Sequence, residues 1–212
     1  MSLIGLLGSH RTGKTTLAKV YAEKHDLIFV ETSVSSIFKQ MGLDPAAKFK
    51  FKERLEIQEE VLRSVEEIYN RIDPSVSAIA DRTPLDMLAY TMSEAIGDSV
   101  GKREQAKFAS YVRRCFEVTN RRFSSLILVQ PGIPVIAMQG KAIANEAYME
   151  HLNSLMLGLS LDERIKVPHF YIPRGVLSLE GRVTALDGAV NMVTRSAQHE
   201  VEQYTASGGK FQ

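Results

Sequence analysis

Tryptophan is absent from this 212-residue chain, and cysteine occurs once, at Cys115. A single cysteine cannot form an intramolecular disulfide or build a cysteine-rich zinc site. That excludes a disulfide-stapled secreted domain and fits a reducing, cytoplasmic setting. Cys115 falls in a helical stretch and is expected to be a small apolar residue, not a nucleophile. No run of about 18 apolar residues occurs, so no transmembrane helix is expected. The N-terminus lacks the basic and then long apolar pattern of a signal peptide. Neither sign of charge dominates: 26 Lys and Arg against 25 Asp and Glu leave a net charge of +1. Such a balance supplies no broad field for nucleic acid or anionic membrane, which disfavours DNA as a partner while leaving a local basic groove open. Internal repeats and low-complexity tracts are also missing.

What is present is ordinary for a globular protein: 44% hydrophobic and 24% charged residues. The length suits one α/β domain, assigned to residues 1–204, with a polar, fraying tail at 205–212. Short apolar runs alternate with longer helical stretches, which predicts a parallel sheet with helices on both faces. The strands are expected at Leu3–Leu7, Leu27–Val30, Val76–Ala80, Ser125–Val129 and Val167–Ile172. Helices are expected after Thr15 and over Phe51–Ile72, Pro84–Ile96, Lys102–Arg122, Asn145–Leu159 and Leu179 to about Tyr204. The longest period is clear: apolar residues at 51, 55, 62, 65, 69 and 72 share one face, with Gln58 filling the gap.

The most specific feature is Gly8 to Thr15, G-S-H-R-T-G-K-T, which satisfies G-x-x-x-x-G-K-[ST] at every fixed position. It follows an apolar strand and opens a helix, as a phosphate-binding loop requires. Gly8 and Gly13 allow turns in which successive N–H groups face one concavity. That nest and the helix N-terminus attract phosphate oxygens. Lys14 places a point charge on the β- and γ-phosphates, and Thr15 offers a hydroxyl to Mg²⁺. The ATP-binding set is therefore Gly8, Arg11, Thr12, Gly13, Lys14, Thr15 and Thr16. His10 and Arg11 occupy variable positions and are expected as solvated loop residues, with a phosphate contact open to Arg11.

In open α/β sheets ligands lie beyond the carboxyl ends of the strands. Glu31 follows the second strand and would face the γ-phosphate if that strand neighboured the first, accepting or orienting the proton of an attacking hydroxyl. Asp81 directly follows a buried strand and suits the Mg²⁺ shell or the attacking group. Arg82 beside it could take an acceptor phosphate bidentately. Lys14, Glu31, Asp81 and Arg82 are the candidate catalytic residues, and Thr15 and Asp81 the candidate metal ligands. Thr83, Pro84 and Asp86 have a structural explanation as N-cap, first helical residue and first-turn acid. Arg113, Arg114, Arg121 and Arg122 read first as surface charge and helix capping, and second as an acceptor-phosphate or polynucleotide contact. Gln139-Gly140-Lys141 is the candidate lid, with Lys141 as its cation. The histidines at 25, 151, 169 and 199 show no ligand spacing.

Together, Gly8–Thr15, Glu31 and Asp81-Arg82 resemble the P-loop nucleoside and nucleotide kinases. More narrowly, Ala80 to Tyr90 (A-D-R-T-P-L-D-M-L-A-Y) and Gln139-Gly140-Lys141 resemble the small kinase-like AAA ATPase domains that include the nicotinamide-riboside kinase domain. The resemblance spans about residues 3–195. It implies a three-layer P-loop NTPase sandwich with a five-stranded parallel sheet, and Mg²⁺–ATP-dependent transfer to a nucleoside, nucleotide or related acceptor. The lid departs from the group, in which an aspartate and an arginine are expected where Gln139 and Lys141 stand. No arginine lies between Arg122 and Arg164, so an arginine-rich lid of the adenylate-kinase kind is absent. The same group resembles viral kinases of hydroxymethylpyrimidines in DNA, a second reading. A regulatory ATPase without an acceptor is the third. A homodimer is left open.

Overall fold

The computed structural model describes residues 2–44, 47, 49–73, 75–95, 100–134 and 145–206. In chain order the elements are β1 (Ser2–Leu7), α1 (Lys14–His25), β2 (Ile28–Val30), α2 (Val34–Gln40), α3 (Phe51–Asn70) and β3 (Ser77–Ala80). Then follow α4 (Pro84–Met92), α5 (Lys102–Arg122), β4 (Ser125–Val129), α6 (Glu146–Ser160), β5 (His169–Ile172) and α7 (Leu179–Ala206). The five strands form one sheet, β2-β3-β1-β4-β5, in which every pairing is parallel. The expected α/β class and five-stranded parallel sheet are therefore observed.

Alternate side chains of a strand point to opposite faces, and both faces here are covered. Leu3, Leu7, Ala78, Leu126 and Leu128 face α3 to α6, packing on Leu62, Leu88, Cys115 and Met156. Ile4, Leu6, Ile79, Ile127 and Val129 face α1 and α7, packing on Leu17, Tyr21, Val183 and Leu186. Each such fully buried aliphatic side chain contributes about 1.5–3 kcal/mol. Cys115 is buried in the first of these cores, as a small apolar residue should be.

The helix ends follow local chemistry. Asn145 Oδ1 accepts the Tyr148 N–H (3.0 Å) to start α6. Glu53 reaches back to the Lys50 N–H (3.1 Å) at the head of α3. The sequence did not reveal α2, whose N-cap is Ser33 and which buries only Ile37 and Phe38. Two buried residues in seven leave too little period to read. The expected helix beyond Pro84 ends earlier, at Met92, and residues 96–99 lie outside the described residues. Among the described residues no helix is long and apolar enough to cross a membrane.

Because all strands are parallel, Gly8, Glu31, Asp81, Gln130 and Pro173 emerge at one edge of the sheet. From β1 the chain turns to the α1 face, and from the adjacent β3 to the α4 face. Diverging exits of neighbouring strands open a crevice between them. That crevice lies between Gly8 and Asp81.

Candidate active site

The loop after β1 is shaped by three residues with positive φ, Gly8 (153°), Arg11 (61°) and Gly13 (83°). A Cβ at Gly8 would stand 2.5 Å from the Val129 carbonyl oxygen, so the loop lies directly on the end of β4. Gly13 is the N-cap of α1, and Thr12 Oγ1 braces the turn by donating to the Ser9 carbonyl (3.0 Å). Lys14 is buried, and its Nζ donates to the Gly8 (2.6 Å) and Ser9 (2.8 Å) carbonyls. Burial first, and then repulsion from Arg82, pull its pKa from 10.5 to about 7, against the pull of Asp86 and Asp81. The ammonium thus sits where desolvation and the arginine oppose its charge and the two carboxylates hold it. Thr15 and Thr16 are exposed on the first turn of α1.

Asp81 is buried at the tip of β3. Its Oδ2 accepts the Thr15 hydroxyl (2.6 Å) and its Oδ1 the Thr32 N–H (3.1 Å). One hydroxyl and one carboxylate side by side are hard oxygen donors of the kind Mg²⁺ uses together with waters and substrate phosphates. Among the described residues no group of three or more His, Cys, Asp or Glu forms an all-protein cage. Thr15 and Asp81 could hold Mg²⁺ together with a substrate phosphate.

The other two candidates are more loosely placed. Strand β2 pairs with β3, not with β1, so the condition placed on Glu31 is not met. Glu31 stands one strand further out, exposed, beside the Val30–Ala80 register pair that precedes Asp81. It also borders an outer groove formed with Ile28, Ile68 and Arg71. The Arg82 side chain is 28% exposed, lies 4.0 Å from Asp86 and sits over the Tyr90 ring at 6.0 Å. Its backbone carbonyl is fixed by the Tyr69 hydroxyl (2.9 Å).

Three further residues reach the loop, Asp86, Tyr90 and Arg182. Asp86 closes a capping box on Thr83, accepting its N–H (2.8 Å) and hydroxyl (2.9 Å) through Oδ2. Its Oδ1 also accepts the Gly8 N–H (3.2 Å), a contact that first-turn capping did not foretell. Burial raises the Asp86 pKa, while Lys14 and Arg82 pull it down. One α4 turn on, the Tyr90 hydroxyl accepts the His10 N–H (3.1 Å) and lies 3.2 Å from His10 Nδ1. His10 is thus part-buried against α4, not a solvated loop residue. Arg182, in the first turn of α7, donates from Nη1 to the Thr12 carbonyl (2.6 Å) and from Nε to the Val176 carbonyl (2.8 Å). Asp86 and Tyr90 stand four residues apart on α4 and could have been read as one helical face. For Arg182 the only sequence signal was a cation in a helix's first turn, against the macrodipole.

Arg114 and Arg121 pair with Glu66 of α3, the former at 2.9 Å. Arg121 and Arg122 close α5 just before β4 begins, at the opposite edge of the sheet from Gly8. Surface pairing and capping therefore describe them. The candidate lid, Gln139 to Lys141, lies outside the described residues.

No family model and no curated protein matches the chain by sequence. Its fold is that of solved P-loop kinases. It matches deoxyadenosine kinase from M. mycoides with bound dCTP at a TM-score of 0.64 and 17% identity, over 90% of this chain and 99% of that one. It matches NadR in complex with NR at 0.63 and 13%, over 89% of this chain and 50% of NadR. YorR from Bacillus subtilis, in complex with phosphorylated GDP, matches at 0.53 and 12%, over 92% of this chain and 98% of YorR.

Proposed function

We propose that this protein is a Mg²⁺–ATP-dependent phosphotransferase acting on a nucleoside, nucleotide or related acceptor. The observation that carries the reading is the Thr15–Asp81 contact of 2.6 Å beside the Lys14 loop. It joins the donor-phosphate loop to a strand-end carboxylate, the pairing that phosphoryl transfer asks for. The fold likeness to a deoxyadenosine kinase and to NadR supports it.

In this reading Gly8, Arg11, Thr12, Gly13, Lys14, Thr15 and Thr16 hold the nucleotide. Lys14 leaves the Gly8 and Ser9 carbonyls for the β- and γ-phosphates. Thr15 and Asp81 would hold Mg²⁺, which would supply charge neutralisation to the phosphates. Glu31, exposed at the same edge, orients the acceptor hydroxyl or takes its proton. Arg82, partly exposed at the mouth of the crevice, receives an acceptor phosphate when there is one. Little covalent chemistry is asked of the chain beyond positioning and charge stabilisation. An acceptor within DNA has less support, because Arg114 and Arg121 are engaged by Glu66 and the net charge is +1.

The test is acceptor-dependent release of ADP from Mg²⁺–ATP, measured with nucleosides and nucleoside monophosphates. Lys14→Ala is expected to abolish it, and Arg82→Ala to raise KM for phosphorylated acceptors while sparing unphosphorylated ones. ADP release that no acceptor changes would favour a regulatory ATPase instead.

A further inference from the structure

Arg182 is only 3% exposed, yet no carboxylate among the described residues pairs with it. Its two hydrogen bonds go to neutral carbonyls, those of Thr12 and Val176, and its Nη2 is buried with no partner among the described residues. Burial pulls its pKa down. It also stands in the first turn of α7, where the helix dipole disfavours a cation. A buried guanidinium is ordinarily paired, because desolvation without a counter-charge is costly. Here the guanidinium borders the phosphate loop: its Nη1 holds the Thr12 carbonyl and lies 3.4 Å from where a Cβ at Gly13 would be. An anion at the head of α1 would bring a counter-charge to this buried cation.

We infer that Arg182 is a second cationic contact for the phosphate chain of a bound nucleotide, complementing Lys14 from the α7 side of the loop. This rests on the reading of the loop as a nucleotide site. The same side chain ties Thr12 to the segment after β5, so phosphate binding draws α7 and the loop together. The chemistry recognised is a phosphate anion, not a base or a ribose.

The experiment is equilibrium binding of ATP, inorganic tripolyphosphate and adenosine to the wild type, Arg182→Met and Arg182→Lys. Loss of a charge-assisted contact predicts roughly tenfold or greater weakening of ATP and tripolyphosphate in Arg182→Met. Adenosine affinity is expected to be unchanged, and Arg182→Lys to recover most of the loss. Equal phosphate affinity in wild type and Arg182→Met would overturn the inference. So would adenosine weakening as much as ATP, or Arg182→Lys binding as poorly as Arg182→Met. Should Arg182→Met not fold, Arg182→Gln decides: weaker tripolyphosphate with unchanged adenosine supports the contact, and wild-type affinity for both refutes it. A wild type that binds neither ATP nor tripolyphosphate would fail the nucleotide reading itself, and the inference with it.

Discussion

Replacing Asp86 by alanine perturbs the point where α4 grips the loop. One carboxylate serves three donors there: the Gly8 N–H, the Thr83 N–H and the Thr83 hydroxyl. Losing the cap is worth about 1 kcal/mol. The Gly8 N–H then loses its acceptor in a buried site, at about 1–3 kcal/mol. Removing a buried carboxylate returns part of this, because burial disfavours the charged form. The net expectation is a loss of about 1–3 kcal/mol. For a chain of 212 residues each kcal/mol moves Tm by roughly 2–4 °C. Urea and thermal unfolding at pH 7 measure it directly. Thr83→Ala removes only the cap and should cost about 1 kcal/mol. The double variant should fall short of the sum, since the two residues share one carboxylate. A loss below about 1 kcal/mol for Asp86→Ala would refute the claim that it holds the loop.

Lys14 carries a pH prediction. Its pKa in the fold, about 7, lies below its ordinary 10.5, so the unfolded chain binds more protons between those values. Wild-type stability relative to Lys14→Met should therefore rise with pH across that window, by at most about 1.4 kcal/mol per unit. A pH-independent difference in urea unfolding from pH 7 to 9 would contradict it. Gly8→Ala puts a Cβ 2.5 Å from the Val129 carbonyl at φ 153°, and should cost about 2–4 kcal/mol in thermal unfolding from clash and strain together. Glu66→Gln should cost less than about 1 kcal/mol, because Arg114 and Arg121 are largely exposed partners, and the cost should shrink further in high salt.

The loop and the strands were legible because their constraints are local. Gly8 and Gly13 stand where the backbone must take positive φ, and α5 begins and ends at the expected residues, Lys102 and Arg122. Asp81 was legible as the first polar residue after a buried strand, and Thr83 as an N-cap. Pairing order is not local, which is why Glu31 was placed beside β1 only conditionally and stands beyond β3. Arg182 meets Thr12 across 170 positions of sequence, and His10 meets Tyr90 across 80. Such contacts are set by how α7 and α4 pack on the sheet. No short pattern encodes them, although the four-residue spacing of Asp86 and Tyr90 could have pointed to the face of α4 that meets the loop.

The most direct measurement is transfer of labelled γ-phosphate from Mg²⁺–ATP. The acceptor panel holds nucleosides, nucleoside monophosphates, nicotinamide riboside, and DNA with and without hydroxymethylated pyrimidines, with Lys14→Ala as control. A labelled nucleoside or nucleotide product, formed by the wild type and absent with Lys14→Ala, is the expected result. Free phosphate alone whatever the acceptor, or equal label with Lys14→Ala, would contradict the account.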